Sequence, residues 1–98
     1  MQNETYEFVT LAELEQELMQ DPEFVELRKV REVQQKMINE LKQYRLTKHL
    51  SQSEIAKRTG MKVQNISRLE RGLVRPSFET VTRYAQALGG EIMFQPSA

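Results

Sequence analysis

The chain has 98 residues, with 14 Lys and Arg against 14 Asp and Glu, one His, no Cys and no Trp, which leaves room for one compact domain and an appendage. Without Cys there is no disulfide and no thiolate metal site, and a single His excludes a paired-histidine zinc site and disfavours a His-based catalytic triad. No apolar run exceeds three residues, Ile92-Met93-Phe94 being one, against about 20 for a membrane span, and the acidic start lacks the basic opening of a signal peptide, so a cytoplasmic protein is expected.

Tyr6-Glu7-Phe8-Val9 is a candidate small strand. Thr10-Leu11-Ala12-Glu13 then reads as a capping box, and predicts a short helix over about 11–19. At Asp21-Pro22 that helix ends and another begins, because Pro cannot continue the preceding ladder but fits a first helical position, with Asp21 as N-cap. The second helix is expected over about 22–48. Phe24, Leu27, Val30, Met37, Leu41 and Tyr44 recur at helical spacing, with Val33 and Ile38 widening the stripe. At about 1.5 Å per residue it would be roughly 40 Å long, more than a small core can cover, so its N-terminal half calls for a partner.

Ser51-Gln52-Ser53-Glu54 is a second candidate capping box, opening a short helix that carries Ile55, Ala56 and Thr59 and stops at Gly60. A further short helix starts near Lys62, turns Ile66 and Leu69 inward and ends before Gly72. Ser77 caps a helix over about 78–88, with Phe78, Val81, Tyr84, Ala85 and Leu88 on one side. After Gly89-Gly90, the segment from Glu91 to Gln95 is β-prone and predicts a short strand that needs another edge to pair with. The fold class expected is all-α: a five-helix domain over 41–98 with a C-terminal strand, preceded by an acidic helical extension over 1–40.

Helices at 52–59 and 62–71 joined by a Gly-containing turn form a helix-turn-helix pattern. Ala56 is small where the second helix crosses it, and Ile55, Met61, Ile66 and Leu69 plug the angle. The segments LTKHLSQSEIAKRTGM, QNISRLERG and PSFETVTRYAQALG resemble the Cro/CI-type (XRE) helix-turn-helix family over roughly residues 41–90, which implies a lambda-repressor-like domain. Lys62 departs from the family pattern, standing where a small hydroxyl residue commonly caps the recognition helix. That leaves either an uncapped start or a Lys free to meet phosphate.

Charge supports a nucleic-acid role. Residues 1–40 carry ten acids against four bases, net −6, while residues 41–98 carry ten bases against four acids, net +6. Lys57, Arg58, Lys62, Arg68, Arg71 and Arg75 gather around the two short helices, where each phosphate neutralised would release counterions. Lys62, Val63, Gln64, Ser67 and Arg68 are the candidate base readers: Gln pairs with adenine, Arg with guanine, and Val can meet a thymine methyl. Lys57, Arg71 and Arg75 are candidate phosphate contacts, and the family resemblance adds Gln52 and Asn65. It also implies an ion pair between Arg45 and Glu70, tying the long helix to the recognition helix. His49 reads as a solvated residue.

The acidic extension, the long helix from Asp21 and the segment after ALGGE look like the HigA-like antitoxins of type II toxin–antitoxin modules. That resemblance implies a dimer that represses its own operon; since one short helix reads only a few base pairs, a two-fold dimer is expected on a palindromic operator of double-stranded DNA. The resemblance also implies a small basic RelE-superfamily ribonuclease as partner. The acidic charge and the apolar stripe of Phe24, Leu27, Val30, Val33 and Met37, which extends beyond what the core should bury, make that stripe the candidate toxin-binding surface. The alternative is a phage- or plasmid-type repressor with no toxin, whose extension serves only dimerisation. The same stripe could pack on the chain's own C-terminal helix or on the dimer mate, and periodicity does not choose between these. Ile92, Met93 and Phe94 are the candidate dimer contacts. No nucleophile–base pairing, phosphate loop or metal cluster is visible, so neither an enzyme nor a cofactor is expected.

Overall fold

A computed structural model describes residues 10–97, and among them there are five helices: α1 Leu11–Leu18, α2 Pro22–Thr47, α3 Gln52–Thr59, α4 Val63–Glu70 and α5 Phe78–Ala87. The candidate strand at residues 6–9 lies outside the described residues. The chain divides into two compact units, with the boundary between Glu32 and Val33. The five helices include those of the extension, so residues 41–97 hold three complete helices and the end of α2. No described helix is long and apolar enough to cross a membrane.

In the first unit the Thr10 capping box is complete: Thr10 Oγ1 accepts from the Glu13 amide and Glu13 Oε1 accepts from the Thr10 amide, both at 3.0 Å. These bonds hold the Glu13 carboxyl below its ordinary pKa. Asp21 starts α2 as its sequence predicts, its Oδ1 accepting from the Glu23 amide at 3.0 Å. Arg28 folds α1 back on α2, reaching Glu15 Oε2 at 2.7 Å and donating to Met19 Sδ at 3.5 Å. None of residues 10–32 is buried. Leu11, Leu14, Leu18, Met19, Leu27 and Val30 all stand exposed.

The second unit holds the core. Ile38, Ile55, Ile66, Leu69 and Tyr84 are fully sequestered, with Ala56, Val81 and Ala85 beside them. Each large aliphatic side chain so buried contributes about 1.5–3 kcal/mol. The sequence stripe on α2 is corrected at one end. Its buried face runs through Ile38 to Arg45, while Tyr44 is exposed, with Lys48 Nζ 5.3 Å from its ring centroid. Met37 packs on this core, whereas Val33 is exposed. The expected inward Phe78 is also corrected, being 75% exposed at the first position of α5.

Helix ends follow local chemistry. Ser51 Oγ accepts from the Glu54 amide at 3.0 Å, but the reciprocal half of the expected capping box is not made. Glu54 instead lies 3.8 Å from Arg58 one turn on, the ordinary i,i+4 pairing on a helix surface. At the end of α2, the Leu50 amide donates to Arg45 O and the His49 amide to Leu46 O. That is a Schellman closure, which places His49 at φ 58° where glycine is preferred.

The C-terminal strand is not formed: residues 91–97 follow α5 as an irregular segment. An isolated extended segment lacks an edge to bond with among the described residues, and β-prone composition alone does not supply one. Ile92 packs on the core beside Leu88. Met93 and Phe94 are 76% and 87% exposed.

Candidate nucleic-acid interface

The interface is built from the inside outward, starting at the carboxylate that ends α4. Glu70 Oε2 accepts from Arg45 Nε at 2.8 Å, and Oε1 accepts from Arg45 Nη2 at 2.9 Å and from Gln52 Nε2 at 3.0 Å. The Tyr84 hydroxyl also donates to Oε2. Arg45 uses its remaining nitrogen on Leu50 O at 2.6 Å. One carboxylate therefore receives bonds from α2, α3 and α5. The expected Arg45–Glu70 pair is present, and it is the centre of a larger network.

Burial raises the Glu70 pKa, but bonds from Arg45, Tyr84 and Gln52 outweigh it and hold the carboxyl below its ordinary value. The same carboxylate raises the Arg45 pKa, mainly through their hydrogen bond. Burial, followed by donation to Glu70, pushes the Tyr84 hydroxyl well up. At neutral pH the pair is fully ionised and Tyr84 is a neutral donor. No buried side-chain polar atom among the described residues lacks a partner, the condition under which a buried polar network rigidifies rather than weakens a core.

The turn between α3 and α4 closes on Thr59, whose hydroxyl donates to Ile55 O at 2.8 Å and accepts from the Met61 amide at 3.2 Å. Gly60 occupies the left-handed conformation at φ 77° that lets the chain reverse there. Ile66, Leu69 and Glu70 then bury one face of α4. The opposite positions are free: Lys62, Val63, Gln64 and Arg68 are exposed and Ser67 is half-buried. Lys62 is the N-cap and makes no side-chain capping bond. The first-turn amides of α4 are thereby left to solvent or to an anion, beside a cation.

Among the candidate phosphate contacts, Lys57, Asn65, Arg71 and Arg75 are exposed, while Gln52 is half-buried with its amide nitrogen on Glu70. Asn65, Arg68 and Arg75 line one cleft of about 170 Å³ between α4 and the segment that follows it, over Leu69 and Val74. Arg58 is drawn away from this group, donating to Ala87 O at 2.9 Å at the end of α5. The sequence reading missed Thr59 as the closure of the turn and the Tyr84 hydroxyl as a bond to Glu70. Tyr84 carried a signal, because a tyrosine in an otherwise apolar buried stripe needs a partner for its hydroxyl.

The arrangement is a helix with a basic, polar outer face, held from behind by plugs and one saturated carboxylate. It offers amide, guanidinium and ammonium donors to a polyanion. A family model described as helix-turn-helix matches residues 41–94, more than half of the chain. No curated protein and no solved structure matches it.

Proposed function

Given that the chain belongs to the Cro/CI-type (XRE) helix-turn-helix family of DNA-binding transcription regulators, we propose that it represses its own operon from a palindromic operator and neutralises a small basic ribonuclease of the RelE superfamily. The observation that carries the DNA reading is α4, with Lys62, Gln64 and Arg68 outward and Ile66, Leu69 and Glu70 inward. A helix of eight residues reads only a few base pairs. Two copies related by a two-fold axis would double the site, with half-sites about 34 Å apart. Met93 and Phe94 are the apolar side chains that a second copy would cover; Ile92 is already engaged by the core.

The partner reading rests on the first unit. Residues 1–40 carry net charge −6, and Leu27 and Val30 of α2 stand exposed there with Leu11, Leu14 and Leu18 of α1. Acidic charge steers a basic partner, and apolar anchors set its residence time. Phe24 is half-buried and contributes a smaller surface, and Met37, packed on the core of the second unit, contributes little. Coexpression with the product of a neighbouring gene, chosen for being small and basic, tests the reading. Restored growth and a copurifying complex are expected. Continued toxicity with no complex would remove the neutralising role and leave the DNA-binding one.

A further inference from the structure

The groups converging on Glu70 leave it no spare acceptor. Oε1 takes Arg45 Nη2 and Gln52 Nε2, and Oε2 takes Arg45 Nε and the Tyr84 hydroxyl, which fills the roughly four lone-pair positions of a carboxylate. Three of the four residues are buried: Arg45, Glu70 and Tyr84. Gln52, half-buried at the first position of α3, is the member that also reaches solvent. Its Nε2 has two hydrogens and spends one on Glu70, so the second is held in a fixed direction.

We infer that Tyr84 is a positioning residue for DNA binding: through Glu70, its buried hydroxyl fixes the Gln52 amide that meets a backbone phosphate. The inference rests on the proposed phosphate role of Gln52. Glu70 is pinned at Oε2 from α5 and at Oε1 from α3, with the guanidinium of Arg45 bridging the two. Without the Tyr84 hydroxyl, Oε2 has one bond fewer and α5 no longer holds the carboxylate, so Glu70 and the Arg45 fork can shift together and carry Oε1 away from Gln52. A side chain ordered before it meets its ligand loses less freedom on binding, so releasing Gln52 weakens the phosphate contact although Tyr84 never touches DNA.

Tyr84→Phe keeps the ring and removes only the hydroxyl. Its affinity for a duplex that the protein selects from a random-sequence pool should fall about five- to tenfold, as expected for one lost hydrogen bond of ordinary strength, and Gln52→Ala should cost a similar factor. In the Gln52→Ala background, Tyr84→Phe should then change affinity less than about twofold, since coupled residues are not additive. An equal loss in both backgrounds would overturn the inference, leaving Tyr84 as a packing residue. If Gln52→Ala alone binds like the parent, the phosphate role of Gln52 falls and the inference with it.

Should Tyr84→Phe fail to fold, or should no duplex be selected, the chain labelled with 3-fluorotyrosine decides by nuclear magnetic resonance. A stronger donor at Tyr84 is expected to shift the side-chain amide protons of Gln52. Unchanged Gln52 resonances would overturn the inference whatever the protein does with DNA.

Discussion

Arg45 and Glu70, 25 residues apart, meet through two parallel bonds of 2.8 and 2.9 Å with both side chains buried. A pair so placed is costly to break from one side, because the remaining charge stays in the core. Arg45→Ala should destabilise the domain by about 3–5 kcal/mol. Replacing both residues by Met should cost clearly less than Arg45→Ala, although it leaves Gln52 and Tyr84 without their acceptor. Urea titration of the parent and the two variants measures the difference, and a double variant less stable than Arg45→Ala would show that the stranded charge is not the main cost.

The depressed Glu70 pKa makes stability depend on acid. The folded value lies below the unfolded one, so this contribution is complete above the unfolded glutamate pKa of about 4.3 and is lost as pH falls through the folded value. Stability should therefore decline more steeply as pH falls below about 4 in the parent than in the Arg45→Met, Glu70→Met double variant. Parallel acid titrations by circular dichroism would reveal it.

Lys62 opens α4 without a capping bond. Lys62→Ser should stabilise the domain by ~1 kcal/mol by satisfying a first-turn amide. The same substitution should weaken DNA binding and make its dependence on salt shallower, since one cation is lost. Thermal melts and binding isotherms at several salt concentrations test both halves, and a gain in both stability and affinity would remove Lys62 from the interface.

Gln64 and Arg68 are exposed on the outer face of α4, while Lys57 and Arg71 are exposed beside it. Gln64→Ala or Arg68→Ala should cost ~1–3 kcal/mol on the selected duplex and relax its sequence preference. Lys57→Ala and Arg71→Ala should weaken all duplexes alike. Competition between selected and random duplexes separates the two classes; equal losses from all four variants would mean that α4 does not read bases.

The extension can be removed only to the right point. Ile38 lies in the core of the second unit, so deletion through residue 38 would unfold what it is meant to isolate. A chain lacking residues 1–32 should keep its DNA binding and lose the basic partner, and Leu27→Glu with Val30→Glu should do the same in the full chain. Pull-down of the partner and binding of the selected duplex, measured on the same preparations, check this. A complex that survives both changes would place neutralisation elsewhere.

The helices and the angle motif were legible because each rests on short-range chemistry: Thr10, Asp21, Ser51 and Ser77 as caps, and Ile55, Ile66 and Leu69 at helical spacing. The Arg45–Glu70 pair was legible only through family resemblance, since nothing local relates two residues 25 apart. The strand at 91–95 failed because β-propensity describes a fit to a neighbouring strand, and the described chain offers none. Phe78 failed because a periodic stripe does not say where it ends. At the first turn of α5 the apolar face has already left the core.

The single carboxylate at the end of α4 separates two duties within one helix. Everything that fixes where the helix lies is gathered at Ile66, Leu69 and Glu70, on the side away from solvent. Lys62, Gln64 and Arg68 form none of the hydrogen bonds or ion pairs resolved between side chains in this unit. They are interchangeable type in a fixed press. Under the proposed reading, a lineage or an engineer could rewrite those letters to suit a new operator while the frame behind them stays as it is.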